Sequence, residues 1–133
     1  METAQVTYVD STLFIAAAVY SNEIGKAALN FVFNHPQLVT ADSTFIEALR
    51  SITRRMGKEQ AIWMCEKFAR LTNLSILAGN AQISAQLIQN YHATGLSPSL
   101  SMHLAYMQVN GITQIASLDP AFDKISGIKR VKL

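Results

Sequence analysis

The chain has 133 residues, 50% of them hydrophobic and 15% charged, with a formal net charge of +2. That length fits one domain, residues 1–133, and the apolar content supplies a full core and excludes a disordered chain. The net charge is too small to announce nucleic-acid binding by itself. The basic residues are nevertheless clustered, with Arg50, Arg54, Arg55 and Lys58 close together and Lys124, Lys129, Arg130 and Lys132 near the C-terminus. Taken alone, both clusters read as solvated surface. The single cysteine, Cys65, excludes an intrachain disulfide and shares an apolar stripe with Ala61, Ile62 and Ala69, so it reads as a buried small hydrophobe. No basic region precedes an apolar segment in METAQVTYVD, and LFIAAAVY falls far short of the ~20 residues that span a bilayer. The expectation is a soluble, reduced, cytoplasmic protein with no membrane segment.

Segments of two periodicities alternate along the chain. QVTYV reads as a short strand, and Asp10 follows it directly, ahead of the apolar run LFIAAAV. SNEIGKAALNFVFNH carries Ile24, Ala27, Ala28, Phe31 and His35 at helical spacing, with Asn22 as its cap. QLVT is a second strand. DSTFIEALRSITRRM is a helix capped by Asp42, striped by Phe45, Leu49, Ile52 and Met56, and ended by Gly57. A helix through KEQAIWMCEKFARL and a third strand in NLSIL follow. Asn80 caps AQISAQLIQNYHA, in which Ile83, Leu87 and Tyr91 share a face and Gly95 is the stop. Ser97 and then Pro98 open another helix, striped by Leu100, His103, Leu104 and Met107. ITQIAS is a fourth strand, and IKRVKL a fifth at an edge, where charge is tolerated.

Short strands alternating with helices imply a three-layer α/β/α fold around a small, mainly parallel sheet. Right-handed crossovers then bring the strand C-terminal ends to one side, where ligands of such folds bind. Asp10 ends the first strand, Asp119 lies just past the fourth, and Glu47 lies early in the helix after the second. Carboxylates converging at one edge repel and raise one another's pKa, and a hard divalent cation relieves this. Spacing leaves a second reading open: Glu47 as an exposed partner of Arg50 one turn on, and Asp10 and Asp119 as ordinary caps. His35, His92 and His103 show no ligand pairing, and His103, on an apolar stripe, reads as a core histidine. Trp63, Tyr91 and Tyr106 read as packing residues. VDST lacks the second Asp of an Asp-x-Asp phosphate-handling motif, which argues against Asp10 as a nucleophile.

The ordered series VTYVDSTLFIAAAV, LVTADSTFIEALRSITRR, TGLSPSLSMHLAYMQVNGI and QIASLDPAFDKISGIKRV resembles the PIN domain family over essentially the whole chain. Its length suits single-domain members such as VapC-type toxins. The resemblance implies a metal-dependent endoribonuclease whose acids are an Asp ending the first strand, a Glu in the helix after the second, an Asp opening a later helix, and an Asp after the next strand. Asp10, Glu47 and Asp119 match the first, second and fourth. Where the family reads Asp-Ala-Leu-His-Leu-Ala, this chain reads LSMHLA, with Leu100 at the acidic position and His103, Leu104 and Ala105 in register. The implied catalytic and metal-holding set is Asp10, Glu47 and Asp119 with Mg²⁺ or Mn²⁺, and Asp123 is a further candidate ligand. Arg50 and Arg54 are candidate RNA contacts. An antitoxin and a second copy of the chain are the implied protein partners. The loss at Leu100 opens an alternative, a degenerate module that binds RNA or a protein without cleaving.

Overall fold

The computed structural model describes residues 5–133; Met1–Ala4, where the reading of the N-terminus as leader-free begins, lie outside them. The described chain runs β1 (Thr7–Val9), α1 (Ser11–Val19), α2 (Glu23–Asn34), β2 (Leu38–Ala41), α3 (Thr44–Met56), α4 (Lys58–Ala69), β3 (Leu74–Leu77), α5 (Ala81–Ala93), α6 (Pro98–Val109), β4 (Gln114–Ala116), a 3-10 helix (Pro120–Lys124) and β5 (Lys129–Arg130). All strand pairs are parallel, in the order β3-β2-β1-β4-β5. The fold is therefore the α/β arrangement expected, with LysArg of β5 at an edge.

Alternation along the strands divides the core. Val9, Leu38 and Ala116 point to one face, where they meet Leu13, Phe14, Ala28, Val32, Ile52, Ala61 and Phe68 of α1–α4. Tyr8, Val39 and Ile115 point to the other, against Ile83, Leu104 and Met107 of α5 and α6 and against Phe122. The two central strands β1 and β2 are wholly buried, which is why they read as continuous apolar runs rather than alternating ones.

The local signals hold at most ends. Asn22, Asn80 and Ser97 each accept a bond from a first-turn backbone N–H. Gly57 ends α3 with φ of 90°, a conformation that only glycine adopts without strain. Asp42 does not cap α3; Ser43 stands at that position, and the Asp42 carboxylate instead accepts from Tyr106 Oη (2.7 Å), Ser43 N (2.8 Å) and Gly79 N (3.2 Å). It ties the start of α3 to the β3–α5 turn and to α6. The apolar stripes are narrower than periodicity suggests. Ile24, Met56, Ile62, Trp63 and Tyr91 are exposed, and Lys67 sits over the Trp63 ring at 3.9 Å. Cys65 and Tyr106 are buried as read.

A buried polar contact holds α5 to α6. Asn90 donates to Ser101 O (3.1 Å) and Gln108 Oε1 (2.9 Å), and accepts from Gln86 (3.0 Å). Replacing Asn90 by Leu removes those bonds and strands their partners, a loss of about 1–3 kcal/mol. Urea unfolding of the variant is expected to show a lower midpoint with an unchanged slope.

Candidate functional site

The strand order reverses at β1. The chain steps from β1 to β2 and β3 on one side, then returns to place β4 and β5 on the other. Connections that leave neighbouring parallel strands toward opposite sides open a crevice beyond the strands' C-terminal ends. Asp10 follows β1 and Ser117 follows β4, so both stand at this reversal.

Asp10 is the N-cap of α1 and only 1% exposed. One carboxylate oxygen accepts from Thr12 N (3.0 Å) and Thr12 Oγ1 (2.5 Å), and the other from Ser117 Oγ (2.5 Å). Ser117 Oγ in turn accepts from Asp119 N (3.0 Å), which fixes the loop that presents Asp119. Asp119 caps the 3-10 helix through Ala121 N (2.9 Å), so its capping role is real. Burial pushes the Asp10 carboxyl up, and its bonds from Ser117 and Thr12 with the nearby His103 only partly offset this.

Glu47 is not an exposed partner of Arg50. It is half-buried and accepts from His103 Nε2 at 2.7 Å, while Ser99 Oγ donates to its second oxygen. His103 Nδ1 lies 2.6 Å from Tyr8 Oη. One neutral tautomer serves both bonds, with Tyr8 donating to Nδ1 and Nε2–H donating to Glu47. The chain of bonds crosses from α3, on one helical layer, to α6 on the other, over the strand ends. Burial pushes the Glu47 carboxyl up, but bonds from His103, Ser99 and Ser11 outweigh it and leave the group below the ordinary glutamate range.

The structure thus places Asp10, Glu47 and Asp119 at one edge of the sheet, with Ser117 joining the two aspartates. Asp123 stands apart, paired with Arg130 at 2.9 Å. Leu100 is half-buried and packs against the α5–α6 core. Arg50 and Arg54 are exposed. Among the described residues, no three acidic, imidazole or thiol groups come together as a metal cage. Carboxylate oxygen is nonetheless a donor type suited to a hard divalent cation such as Mg²⁺ or Mn²⁺. Sequence reasoning missed Thr12, Ser117, Ser99 and Tyr8. None of the four carried a signal of its own in the sequence.

The two carboxylates have opposite pH signatures. Asp10 is held above its unfolded value, so the folded state binds its proton more tightly and stability falls as pH rises above about 4. Glu47 is held below its unfolded value, so its contribution is present above that value and is lost as pH falls through the folded one. Asp10→Asn keeps the shape and can donate to Ser117 in place of accepting. Urea unfolding over a pH series is expected to show a shallower decline in stability as pH rises above about 4 for this variant than for the parent; equal declines would contradict the burial of charge at Asp10.

A family model described as PIN domain matches residues 7–128. No curated protein matches the sequence. Among solved structures, VapC20 of Mycobacterium tuberculosis, a sarcin-ricin-loop-cleaving toxin, is similar with a TM-score of 0.74 and 17% identity, covering 87% of this chain and 91% of that one. A chain of the DNA-bound VapBC complex of Salmonella typhimurium is similar with a TM-score of 0.73 and 16% identity, covering 97% and 98%. A chain of VapBC2 of Rickettsia felis, bound to a promoter DNA fragment, gives 0.73 and 10%, covering 96% and 98%.

Proposed function

Because the chain belongs to the PIN domain family, we propose that it is an endoribonuclease of the toxin kind, opposed by an antitoxin, with its scissile phosphodiester at the Asp10, Glu47 and Asp119 edge. The observation that carries this reading is the link Asp10–Ser117–Asp119 at the point where the strand order reverses. Mg²⁺ or Mn²⁺, when held there, would supply Lewis-acid stabilisation of the charge that develops in phosphodiester hydrolysis. Asp10 would hold it from a position that Thr12 and Ser117 lock, Asp119 from the 3-10 turn, and Glu47 from α3. Leu100 leaves the ligand set one acid short, so much of the ion's affinity has to come from the RNA phosphate itself. Arg50 and Arg54 contact the RNA backbone beside the site. The neighbours' toxin–antitoxin complexes support an antitoxin partner for this chain. An antitoxin or a second copy needs apolar surface to cover, and Phe33, Trp63 and Ile88 are exposed.

A second reading is favoured by two specific observations, Leu100 at the acidic position and the capture of Glu47 by His103 and Ser99. Both describe a site that is satisfied without an ion, as in a module that binds without cleaving.

Cleavage and melting separate the two. The parent is expected to cut a mixed pool of structured RNAs only when Mn²⁺ is present, and Asp10→Asn is expected to abolish cutting while remaining folded. Mn²⁺ without RNA should move the parent's melting temperature little. Leu100→Asp, which adds a ligand but removes a packed Leu, should fold less stably without metal and gain about 2.7 kcal/mol at a hundredfold excess of Mn²⁺ over its dissociation constant. No cleavage by either protein, with no effect of Mn²⁺ on melting, would favour the non-cleaving module.

A further inference from the structure

A cavity of about 450 Å³ lies beside Asp119, between α1, the distal half of α3 and the Leu118–Pro120 turn. Its volume is within the range of sites that hold a small ligand, roughly 300–1,000 Å³. Ile15, Leu118 and Pro120 are its apolar lining, and Ser51, Arg55, Tyr20 and the acid Asp119 are among its polar lining. Glu47, Ser51 and Arg55 follow one another at a spacing of four, so one face of α3 leads from the acidic edge to this cavity over about 12 Å.

The Arg55 guanidinium has no carboxylate partner among the described residues. Its contacts are to Tyr20: Nη1 donates to the phenol oxygen at 3.4 Å, and the guanidinium carbon lies 5.5 Å from the ring centroid. Tyr20 therefore holds the cation at the cavity without neutralising it. Arg55 is exposed and its guanidinium is open to an anion, and its fork suits a phosphate. The apolar side calls for a flat, weakly solvated body. A nucleotide carries both, and the neighbouring Arg54 and Lys58 keep the local field positive where the strand would continue.

We propose that this cavity holds one unstacked nucleotide of a single RNA strand next to the scissile edge, with Arg55 on its phosphate, its base against Ile15 and Pro120, and Tyr20 as the residue that positions Arg55. The proposal rests on the ribonuclease reading and names where its substrate lies.

The test is binding of a labelled single-stranded RNA of mixed sequence in EDTA over a series of salt concentrations, with melting curves to establish folding. Arg55→Ala is expected to weaken binding about tenfold and to reduce the magnitude of the salt slope by about 0.7, the share of one phosphate contact on a single strand. Arg55→Lys should keep the slope and lose part of the affinity. Tyr20→Leu should weaken binding, and Tyr20→Phe, which keeps the ring under the guanidinium, should restore it. A nucleoside 5′-monophosphate should compete better than inorganic phosphate; equal competition would overturn the base half of the proposal. A parent that binds RNA as tightly, and with the same salt slope, as Arg55→Ala would overturn the cavity while leaving the ribonuclease reading standing. A parent that binds no RNA in EDTA would overturn the cavity, whereas the ribonuclease reading falls only if no cleavage is seen with Mn²⁺.

Discussion

The burial of Asp10 is the constraint around which the edge of the sheet is organised. A carboxylate that is 1% exposed gains little from water, so its hydrogen bonds come from within the protein. Thr12 meets it from the first turn of α1, and Ser117 meets it from the end of β4. The first bond is local and sets where α1 begins. The second spans the fold and fixes β4 against β1 at the reversal of strand order. The loop after β4 inherits its position from the same serine, through the Asp119 amide. One buried charge thus determines the start of a helix, the seating of a strand and the place of a second acid.

Glu47 is held by a different logic. It sits on α3, whose buried face is Thr44, Ala48 and Ile52, and its carboxylate turns away from that face toward α6. His103 reaches it from a buried position and is itself oriented by Tyr8 of β1. Such a relay fixes a tautomer and a direction, as the outer partners of a ligand set do. It also offsets, without an ion, the cost of keeping Glu47 half-buried. With Glu47 already supplied with donors, a third acid at position 100 is not needed for folding, and Leu100 can add its side chain to the α5–α6 core instead.

How far this was legible in the sequence depends on the range of each interaction. Asn22, Asn80 and Ser97 cap as read because a cap is a contact within three residues, and the spacing contains it. The parallel sheet was legible because buried strands and intervening helices differ in period, and the charged β5 declared itself as an edge. Glu47 was legible as a position but not as an environment: helical spacing sees Arg50 and cannot see His103, fifty-six residues away. Asp42 failed as a cap for a related reason, since Tyr106 and Gly79 compete for it from distant elements. Trp63 and Tyr91 read as packing residues, yet both are exposed, and Lys67 lies over the Trp63 ring. Ser117 was invisible because a serine at a strand end has no type-specific signature until the buried carboxylate beside it is known.

The net charge of +2 also conceals how the charges are arranged. Asp10 and Glu47 are withdrawn into hydrogen-bond networks, and Asp123 is paired with Arg130, so these acids project a weakened negative field. The cations of α3 are exposed. On α3 the acid Glu47 is withdrawn while Arg50, Arg54 and Arg55 are open, so the accessible charge of that helix is positive. A net charge too small to announce a partner by itself therefore does not describe the charge that a given face presents, because an approaching molecule meets the accessible charge and not the sum.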